Sequence, residues 1–314
     1  MDERILGSLW GAVVGDALGV PVEFKSRRER TRDPVTSMRG HGTFDLPAGS
    51  WSDDSSLMLC TIEGLLDGFD TERIGNIFVR WLKSAHFTPY DLVFDVGSGT
   101  LQALRRIEQG ISAEQAGSTR EDNNGNGSLM RILPVAVHCL SMTDQDIVHH
   151  AHRASSITHG HPRSLMSCGI YCLMAKSLYE GNSPIDAYLS TVEIVKDLYG
   201  KPPFLEEMPH FSRILGGKIG SYPEGVIESD GYVVHTLEAA LWCLLTTTSY
   251  RDAVLKAVNL GHDTDTTAIV TGGLAGAHYT INAVPDEWLS QIARKDDIDK
   301  LFKMFIQKNE EGPQ

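Results

Sequence analysis

Two short acidic runs are the residues of this chain best suited to chemistry. The first is Ser52–Ser55 (Ser-Asp-Asp-Ser), the second is Asp263–Thr266 (Asp-Thr-Asp-Thr), and each precedes an apolar stretch that favours a helix. One aspartate at a helix start satisfies free N–H groups and the helix dipole, but each run holds two. If the runs meet, four carboxylates share one site, and burying them requires compensating positive charge.

The donor atoms of these runs favour a hard divalent cation such as Mg²⁺, Mn²⁺ or Ca²⁺. Neighbouring carboxylates at a helix start point in different directions, so each run could serve two metal ions rather than one. The candidate ligands are carboxylates and hydroxyls next to a predicted helix start: Ser52, Asp53, Asp54, Asp263, Asp265 and Thr266. The alternative is two separately capped helices whose acids are solvated.

The segment Asn123–Ser128 (Asn-Asn-Gly-Asn-Gly-Ser) has the composition of an anion-binding loop. Asn and Gly tolerate positive φ angles, so successive N–H groups can turn inward and hold a phosphate or diphosphate. A helix that begins near Ser128 would add its N-terminal dipole. The alternative is an ordinary turn with a helix cap. The segment does not have the Gly-Lys-Ser/Thr ending of a Walker loop.

Two further acids and a pair of histidines are candidates for work on a substrate. Asp95 and Glu23 each lie between two apolar residues, and a partly apolar pocket would raise the pKa of either acid and suit it to proton transfer. For Asp95 the alternative is an N-cap for the following helix. His159 and His161 have no third histidine or cysteine at ligand spacing, which disfavours zinc. A hydrogen bond from a histidine to a phosphate is favoured instead.

The composition disfavours several classes of protein. The chain has 314 residues, 41% of them hydrophobic, with a net charge of −13 and a pI near 5.3. Nucleic acids and acidic membranes are poor partners for it, because phosphate contacts need lysine and arginine. Five scattered cysteines without a disulfide framework indicate a reducing, cytoplasmic location. We expect neither a signal peptide nor a membrane span.

Apolar periodicity predicts an almost entirely helical chain that folds as one domain. Helices are predicted over 4–16, 54–68, 71–84, 98–109, 113–117, 128–139, 144–154, 163–180, 184–199, 235–246, 250–258 and 266–278. Turn formers predict a break after residue 16 and a long loop over 25–50. The glycine-rich segment 201–233 is expected to be irregular. The domain is expected to span 1–314, with its core over about 4–305 and a polar tail that frays after about 306.

Five motifs, in this order, resemble the ADP-ribosylglycohydrolase family. They are Gly15–Gly19 (Gly-Asp-Ala-Leu-Gly), Trp51–Ser55 (Trp-Ser-Asp-Asp-Ser), Gly125–Arg131 (Gly-Asn-Gly-Ser-Leu-Met-Arg), Thr158–Pro162 (Thr-His-Gly-His-Pro) and Gly261–Thr266 (Gly-His-Asp-Thr-Asp-Thr). Each motif alone is weak, and together they are specific. The most similar members are the bacterial dinitrogen-reductase-activating glycohydrolases and the ADP-ribosylarginine hydrolases. Ser52 stands where many members have threonine, and Ser128 and Leu129 stand where alanines are usual.

The resemblance implies a compact, single-domain, all-α orthogonal helical bundle with a dinuclear Mg²⁺ or Mn²⁺ centre in a cleft. The implied metal ligands are the six residues named above, with Glu23 close to the metals. Asp95 matches the position proposed for proton transfer in the bacterial relatives, and Glu23 is the second candidate for that role. The implied substrate contacts are Asn124, Gly125, Asn126, Gly127, Ser128, Met130, Arg131, His159 and Tyr232.

The implied reaction is metal-dependent hydrolysis of the N-glycosidic bond between ADP-ribose and a protein side chain, with arginine favoured as the acceptor. The expected partners are an ADP-ribosylated protein as substrate and ADP-ribose as product, and the chain is expected to be a monomer. One alternative is a non-catalytic ADP-ribose binder or structural relative, which the intact acidic runs argue against. Another is hydrolysis of a different linkage, to serine, a nucleic-acid base or a small molecule. A third is a different metal hydrolase acting on another nucleotide-linked or phosphorylated substrate.

Overall fold

The computed structural model describes residues 1–310, and within that range the chain is helical and contains no β-strand. The helices are α1 (Asp2–Gly19), α2 (Arg27–Arg32), α3 (Asp53–Leu65), α4 (Thr71–Ser84), α5 (Ser98–Glu108), α6 (Ala113–Ala116), α7 (Leu133–His138), α8 (Asp144–Ser156), α9 (Pro162–Tyr179), α10 (Pro184–Leu198), α11 (Ser212–Leu215), α12 (Val233–Leu245), α13 (Tyr250–Asn259), α14 (Thr264–Tyr279), α15 (Asp286–Leu289) and α16 (Lys295–Glu310). The prediction of an all-α fold is confirmed.

One continuous hydrophobic core runs through these helices. Its buried side chains extend from Ile5 in α1 to Phe305 in α16, and they include the rings of Trp51, Trp81 and Trp288. Because helices from both ends of the chain share this core, the described residues form a single domain, as expected.

The centre of the bundle is an antiparallel pair, α1 and α14, packed backbone against backbone. A Cβ atom on Gly15 would lie 2.2 Å from the carbonyl oxygen of Ala268, and one on Gly19 would lie 2.3 Å from the Cα atom of Asp265. Only glycine leaves room for so close an approach. Thr264 at the start of α14 also donates to the Gly19 carbonyl at 2.8 Å. The second acidic run is therefore fixed against the C-terminal end of α1.

The predicted break after residue 16 is wrong. Helix α1 continues to Gly19, where the 3₁₀ helix Val20–Val22 follows it. The turn-forming composition of Gly15–Gly19 is overridden because its glycines make the contact with α14 and the Asp16 carboxylate finds donors on α3. Tertiary packing can override local propensity in this way.

Other boundaries also differ from the prediction. Residues 127–131 form a turn, and α7 begins only at Leu133 with Pro134 in its first turn, so the predicted helix over 128–139 is wrong up to residue 132. Helix α2 lies inside the predicted 25–50 loop and begins with a capping box formed by Ser26 and Glu29.

The segments 201–233 and 286–310 are more ordered than expected. The first contains α11 and several 3₁₀ helices, and the second contains α15 and α16, which were not predicted. Helix α16 continues to Glu310, so the prediction that the tail frays after about residue 306 is wrong for the residues up to Glu310. The remainder of the predicted tail, 311–314, lies outside the described residues.

One helical segment has the length and composition of a membrane span, contrary to expectation. Asp2–Val22 has a mean hydropathy of 1.5, and 94% of its most apolar window is buried inside the fold. The segment contains α1, which packs along α14, and core helices of this kind are apolar on all sides.

Candidate metal and substrate site

The two acidic runs meet at one cavity of about 260 Å³. The runs reach it from the start of α3 and the start of α14, and loops add acids and glycines. The carboxylates that line the cavity are Glu23, Asp53, Asp54, Asp95 and Asp263. The other predicted site residues in its lining are Gly125, Asn126, Gly127, Met130, His159 and Thr266.

The second acidic run leaves carboxylate oxygens free to bind a ligand. Asp263 is the N-cap residue of α14, yet its side chain makes no capping hydrogen bond. Its Oδ2 accepts a hydrogen bond from Asn126 at 2.8 Å, and its Oδ1 has no partner. Ligand atoms of Glu23, Asp263 and Asp265 lie within 4.8 Å of one another. A capped helix with solvated acids therefore does not describe this run.

The first run is anchored more firmly. The Ser52 hydroxyl accepts from the Asp54 N–H at 3.2 Å and donates to Asp16 at 3.0 Å, so Ser52 caps α3. Asp53 and Asp54 are only 5% and 2% exposed, which excludes solvated acids here as well. Ser52 is not among the residues that line the cavity, and ligation of a metal by its hydroxyl stays a prediction.

Asp16 is a supporting residue that the sequence analysis missed. Its fully buried carboxylate accepts hydrogen bonds from the backbone and hydroxyl groups of both Ser52 and Ser55. Burial raises the pKa of Asp16 to about 6, while the hydrogen bonds from Ser55 and Ser52 oppose that rise. An aspartate inside an apolar helix was the available signal, because a buried carboxylate needs donors.

The charge of the cluster is not balanced by protein cations. Within the described part of the chain, the cavity lining contains no lysine or arginine. A buried oxygen without a hydrogen-bond partner occurs in each of four carboxyl groups, those of Glu23, Asp54, Asp263 and Asp265. The pKa values of Glu23 and Asp54 are raised above their usual range. Burial is the largest cause, and the negative charge of Asp265 is the second. Protons or bound cations must neutralise the cluster.

The donor set fits a hard divalent cation. Unpaired carboxylate oxygens at this spacing are the ligands that Mg²⁺, Mn²⁺ and Ca²⁺ prefer. Glu23 joins Asp263 and Asp265 in one group, which is closer than the sequence analysis implied. On the α3 side, Asp54 Oδ1 lies 3.4 Å from the Thr266 hydroxyl, which donates to it.

Asp95 lies beside Glu23 and does not cap a helix. The N-cap of α5 is Gly97, so the alternative role for Asp95 is wrong. Its backbone has a φ of 57°, an uncommon conformation outside glycine. Burial raises the pKa of Asp95, although a hydrogen bond with Glu23 opposes the rise. Two hydrogen-bonded acids in a buried site can share one proton.

The other end of the cavity is formed by glycines and His159. A Cβ atom on Gly127 would lie 2.9 Å from His159 Cε1, and one on Gly99 would lie 3.1 Å from His159 Nε2. Burial lowers the pKa of His159 to about 3, so the ring is neutral. Its Nδ1 pairs with the Thr158 hydroxyl at 2.9 Å, which leaves Nε2 on the side of the glycines.

Two predicted substrate contacts lie behind this end of the cavity. Ser128 and Arg131 are fully buried and absent from the lining. Ser128 accepts from the Ser155 hydroxyl at 2.8 Å. The Arg131 guanidinium lies over the Phe78 ring, 4.6 Å from its centroid, and donates to Thr158. With no helix start at Ser128, the expected dipole is also missing, and both residues position the loop rather than line the cavity.

Asn124 and Tyr232 likewise frame the loop. Asn124 accepts from Ser164 at 3.0 Å, and Tyr232 forms a backbone bridge with Gly125. The sequence analysis missed Thr100, whose buried hydroxyl belongs to the lining and has no hydrogen-bond partner. No sequence signal distinguishes Thr100 from other threonines near helix starts.

Fold and site together define an all-helical protein with a glycine-lined cavity that ends in a cluster of buried acids. The family model described as ADP-ribosylglycohydrolase matches residues 1–314, so this chain belongs to the ADP-ribosylglycohydrolase family. The resemblance inferred from the five motifs is confirmed.

Individual relatives match nearly the whole chain. It is 33% identical to ADP-ribosylarginine hydrolase Tri1 of Pseudomonas putida (strain GB-1), over 98% of this chain and 78% of that protein. It is 29% identical to the ADP-ribosyl-dinitrogen reductase glycohydrolase of Rhodospirillum rubrum, over 93% of this chain and 91% of that protein. A solved structure titled ADP-ribosylglycohydrolase-related protein complex superposes with a TM-score of 0.82 at 30% identity, covering 98% of both chains.

Proposed function

We propose that this protein hydrolyses the N-glycosidic bond that joins ADP-ribose to an arginine side chain of a modified protein. The observation that carries the proposal is the cavity itself, which has unpaired buried carboxylates at one end and a glycine loop with a neutral histidine at the other. Two relatives named as ADP-ribosylarginine hydrolases, at 33% and 31% identity, support arginine as the acceptor.

The two ends of the cavity suit the two halves of an ADP-ribosyl group. Backbone N–H groups near Gly125 and Gly127, together with His159 Nε2, can donate to diphosphate oxygens. This orientation directs the ribose that carries the acceptor toward Glu23 and Asp95. It also places the anionic diphosphate away from the acid cluster, where repulsion would be strongest.

Glu23, Asp263 and Asp265 would hold one Mg²⁺ or Mn²⁺ ion, and Asp53, Asp54 and Thr266 would supply ligands for a second. When bound, such ions supply Lewis-acid chemistry and a template for the hydroxyls of the ribose. They would also balance the negative charge that the surrounding residues leave uncompensated.

The reaction breaks the bond between C1″ and the guanidine nitrogen and forms a bond between C1″ and a water oxygen. The leaving guanidine gains a proton, and the water loses one, so an acid and a base must act near C1″. Burial raises the pKa of Asp95, which suits this carboxyl group to carry that proton. Glu23, in hydrogen-bond contact with Asp95, is the second candidate.

The test is release of ADP-ribose from two modified proteins, one carrying ADP-ribosyl-arginine and one carrying ADP-ribosyl-serine. Each is incubated with the purified protein in Mg²⁺, in Mn²⁺ and in EDTA. We expect metal-dependent release from the arginine-linked protein. Release from the serine-linked protein alone would mean that the acceptor is serine and not arginine. Tight binding of ADP-ribose without any release would favour a binding protein instead.

A further inference from the structure

Three phenylalanines stand beside the two candidate proton donors. Phe24 directly follows Glu23, and Phe94 directly precedes Asp95. The ring centroids of Phe24 and Phe44 are 6.2 Å apart, and those of Phe44 and Phe94 are 4.9 Å apart. We call Phe24, Phe44 and Phe94 the aromatic rim. Phe24 is 65% exposed, the largest value for a bulky hydrophobic side chain in residues 1–310.

Phe24 has a strained backbone conformation, and hydrogen bonds of its neighbourhood hold it there. Phe24 has a φ of 63°, in the left-handed region that bulky residues rarely adopt. Its N–H donates to the carbonyl of His262 at 2.7 Å, and the Glu23 carbonyl accepts from the Thr43 hydroxyl at 2.7 Å. These bonds fix Phe24 next to the acids, although the ring gains little burial there. A contact outside the chain would use a ring presented in this way.

We propose that the aromatic rim binds the acceptor polypeptide around the modified arginine, an inference that rests on the proposed function. Phe24 and Phe94 are the chain neighbours of Glu23 and Asp95, where the bond to the acceptor would lie, and no rim residue is part of the cavity lining that would take the ADP-ribose itself. A modified side chain that reaches C1″ brings its own polypeptide against this rim.

Charge and ring chemistry define the kind of segment that fits. The chain has a net charge of −13. An arginine-bearing, basic segment complements that charge. Phenylalanine faces attract guanidinium groups and also pack against apolar side chains. The rim therefore favours a basic segment with apolar neighbours over an acidic one.

The test compares a protein substrate with free ADP-ribosyl-arginine, which carries no polypeptide. Phe24→Asn removes the ring, and asparagine is chosen because it tolerates the left-handed backbone conformation of this position. Phe44→Ser removes a second ring. Ile185→Ser, on α10 and 50% exposed, is the matched control because it lies outside the cavity lining. We expect each rim variant to raise KM for the protein about tenfold with little change in kcat. KM for free ADP-ribosyl-arginine and the Kd for ADP-ribose should stay near wild type, and the control should behave as wild type on both substrates.

Three outcomes would overturn the rim assignment while leaving the proposed function standing. Equal losses on the protein and on free ADP-ribosyl-arginine would mean that the rings act on the reacting sugar. Weaker binding of ADP-ribose would mean that a ring stacks on the adenine. Unchanged kinetics on both substrates would mean that the rim contacts neither. A wild-type protein that hydrolyses neither substrate would instead overturn the proposed function, and the rim assignment with it.

Discussion

The two acidic runs look alike in the sequence and differ in the structure. At the start of α3, the Ser52 hydroxyl caps the helix and is tied to the buried carboxylate of Asp16. At the start of α14, Asp263 occupies the cap position without a capping bond, and its Oδ1 is unpaired. The backbone of the first run is thus supported by hydrogen bonds to Asp16. The second run is positioned by helix packing, and one oxygen of each of its aspartates has no partner, compared with one unpartnered aspartate oxygen, on Asp54, in the first run.

The difference shows that one motif can carry both structural and ligand-binding roles. In the first run the serine performs the structural role and the aspartates face the cavity. In the second, the backbone is fixed by the close approach of Gly19 to Asp265 and by the hydrogen bond from Thr264 to Gly19, and not by the aspartate side chains. Substitutions in the acids should therefore affect function, and substitutions in their supports should affect stability.

The largest effect is expected for acids of both runs. Asp265→Ala and Asp53→Ala should abolish turnover, at least about a thousandfold in kcat, because each removes an oxygen donor from the cation site. The fold should survive, since removing one carboxylate relieves repulsion in the cluster. Turnover assays check the loss of activity, and thermal unfolding checks that the fold is retained. Wild-type rates in either variant would overturn the metal assignment.

The next effect separates the two candidate proton donors. Asp95→Asn should lower kcat about a hundredfold or more while the metal-induced rise in Tm is retained. Glu23→Gln should lower kcat and also weaken that rise in Tm, because Glu23 belongs to the group formed with Asp263 and Asp265. Kinetics and Mg²⁺-dependent melting distinguish them. Identical behaviour of the two variants would remove the distinction.

A change beneath the second run should act on stability. Gly15→Ala places a Cβ atom 2.2 Å from the Ala268 carbonyl oxygen, which should cost about 1–3 kcal/mol in the free energy of unfolding. Gly225→Ala is the matched control, because a Cβ atom there meets nothing within 4 Å. Denaturant unfolding measures both variants. Equal stability would mean that α1 and α14 can move apart freely.

A change beneath the first run should have a smaller effect. Ser52→Ala removes the cap of α3 and one donor to Asp16, which should cost about 1 kcal/mol. Ser52→Thr keeps the hydroxyl and should restore most of the loss. If Ser52→Ala also abolished turnover in saturating Mg²⁺, the hydroxyl would be a metal ligand as the resemblance implies.

A further prediction is a pH dependence of stability assigned to Asp16. Its pKa rises from 3.8 to about 6 on folding, so the native state holds the proton more tightly. Its contribution to stability is full below pH 3.8 and is lost as pH rises through about 6. In metal-free protein, Asp16→Asn should flatten the fall of Tm across this interval. An unchanged slope would assign the titration to other acids.

The sequence allowed the chemistry to be predicted better than the packing. The acids of both runs, Glu23 and Asp95 were all identified as candidates. The structure brings all of them except Asp265 to the lining of one cavity and places Asp265 in a group with Glu23 and Asp263. The continuation of α1 through Asp16 was not predictable from local composition. Its cause is the contact with α14, about 250 residues away in the chain.

Burial likewise separated residues that one motif had grouped together. Of the motif Gly125–Arg131, Gly125, Gly127 and Met130 line the cavity, whereas Ser128 and Arg131 support it from behind. A motif records which residues occur together, and it does not say which of them face a ligand. That assignment required the positions of Phe78 and Ser155, which contact the two buried residues.

The most direct test of the central claim is calorimetric titration of Mn²⁺ into metal-free protein, with Asp265→Ala alongside wild type. We expect saturable binding of two ions per wild-type chain, with release of protons from the acid cluster, and weaker binding or fewer bound ions in the variant. Absence of saturable binding to wild type, or equal binding by the variant, would contradict the claim that the two acidic runs form a cation site.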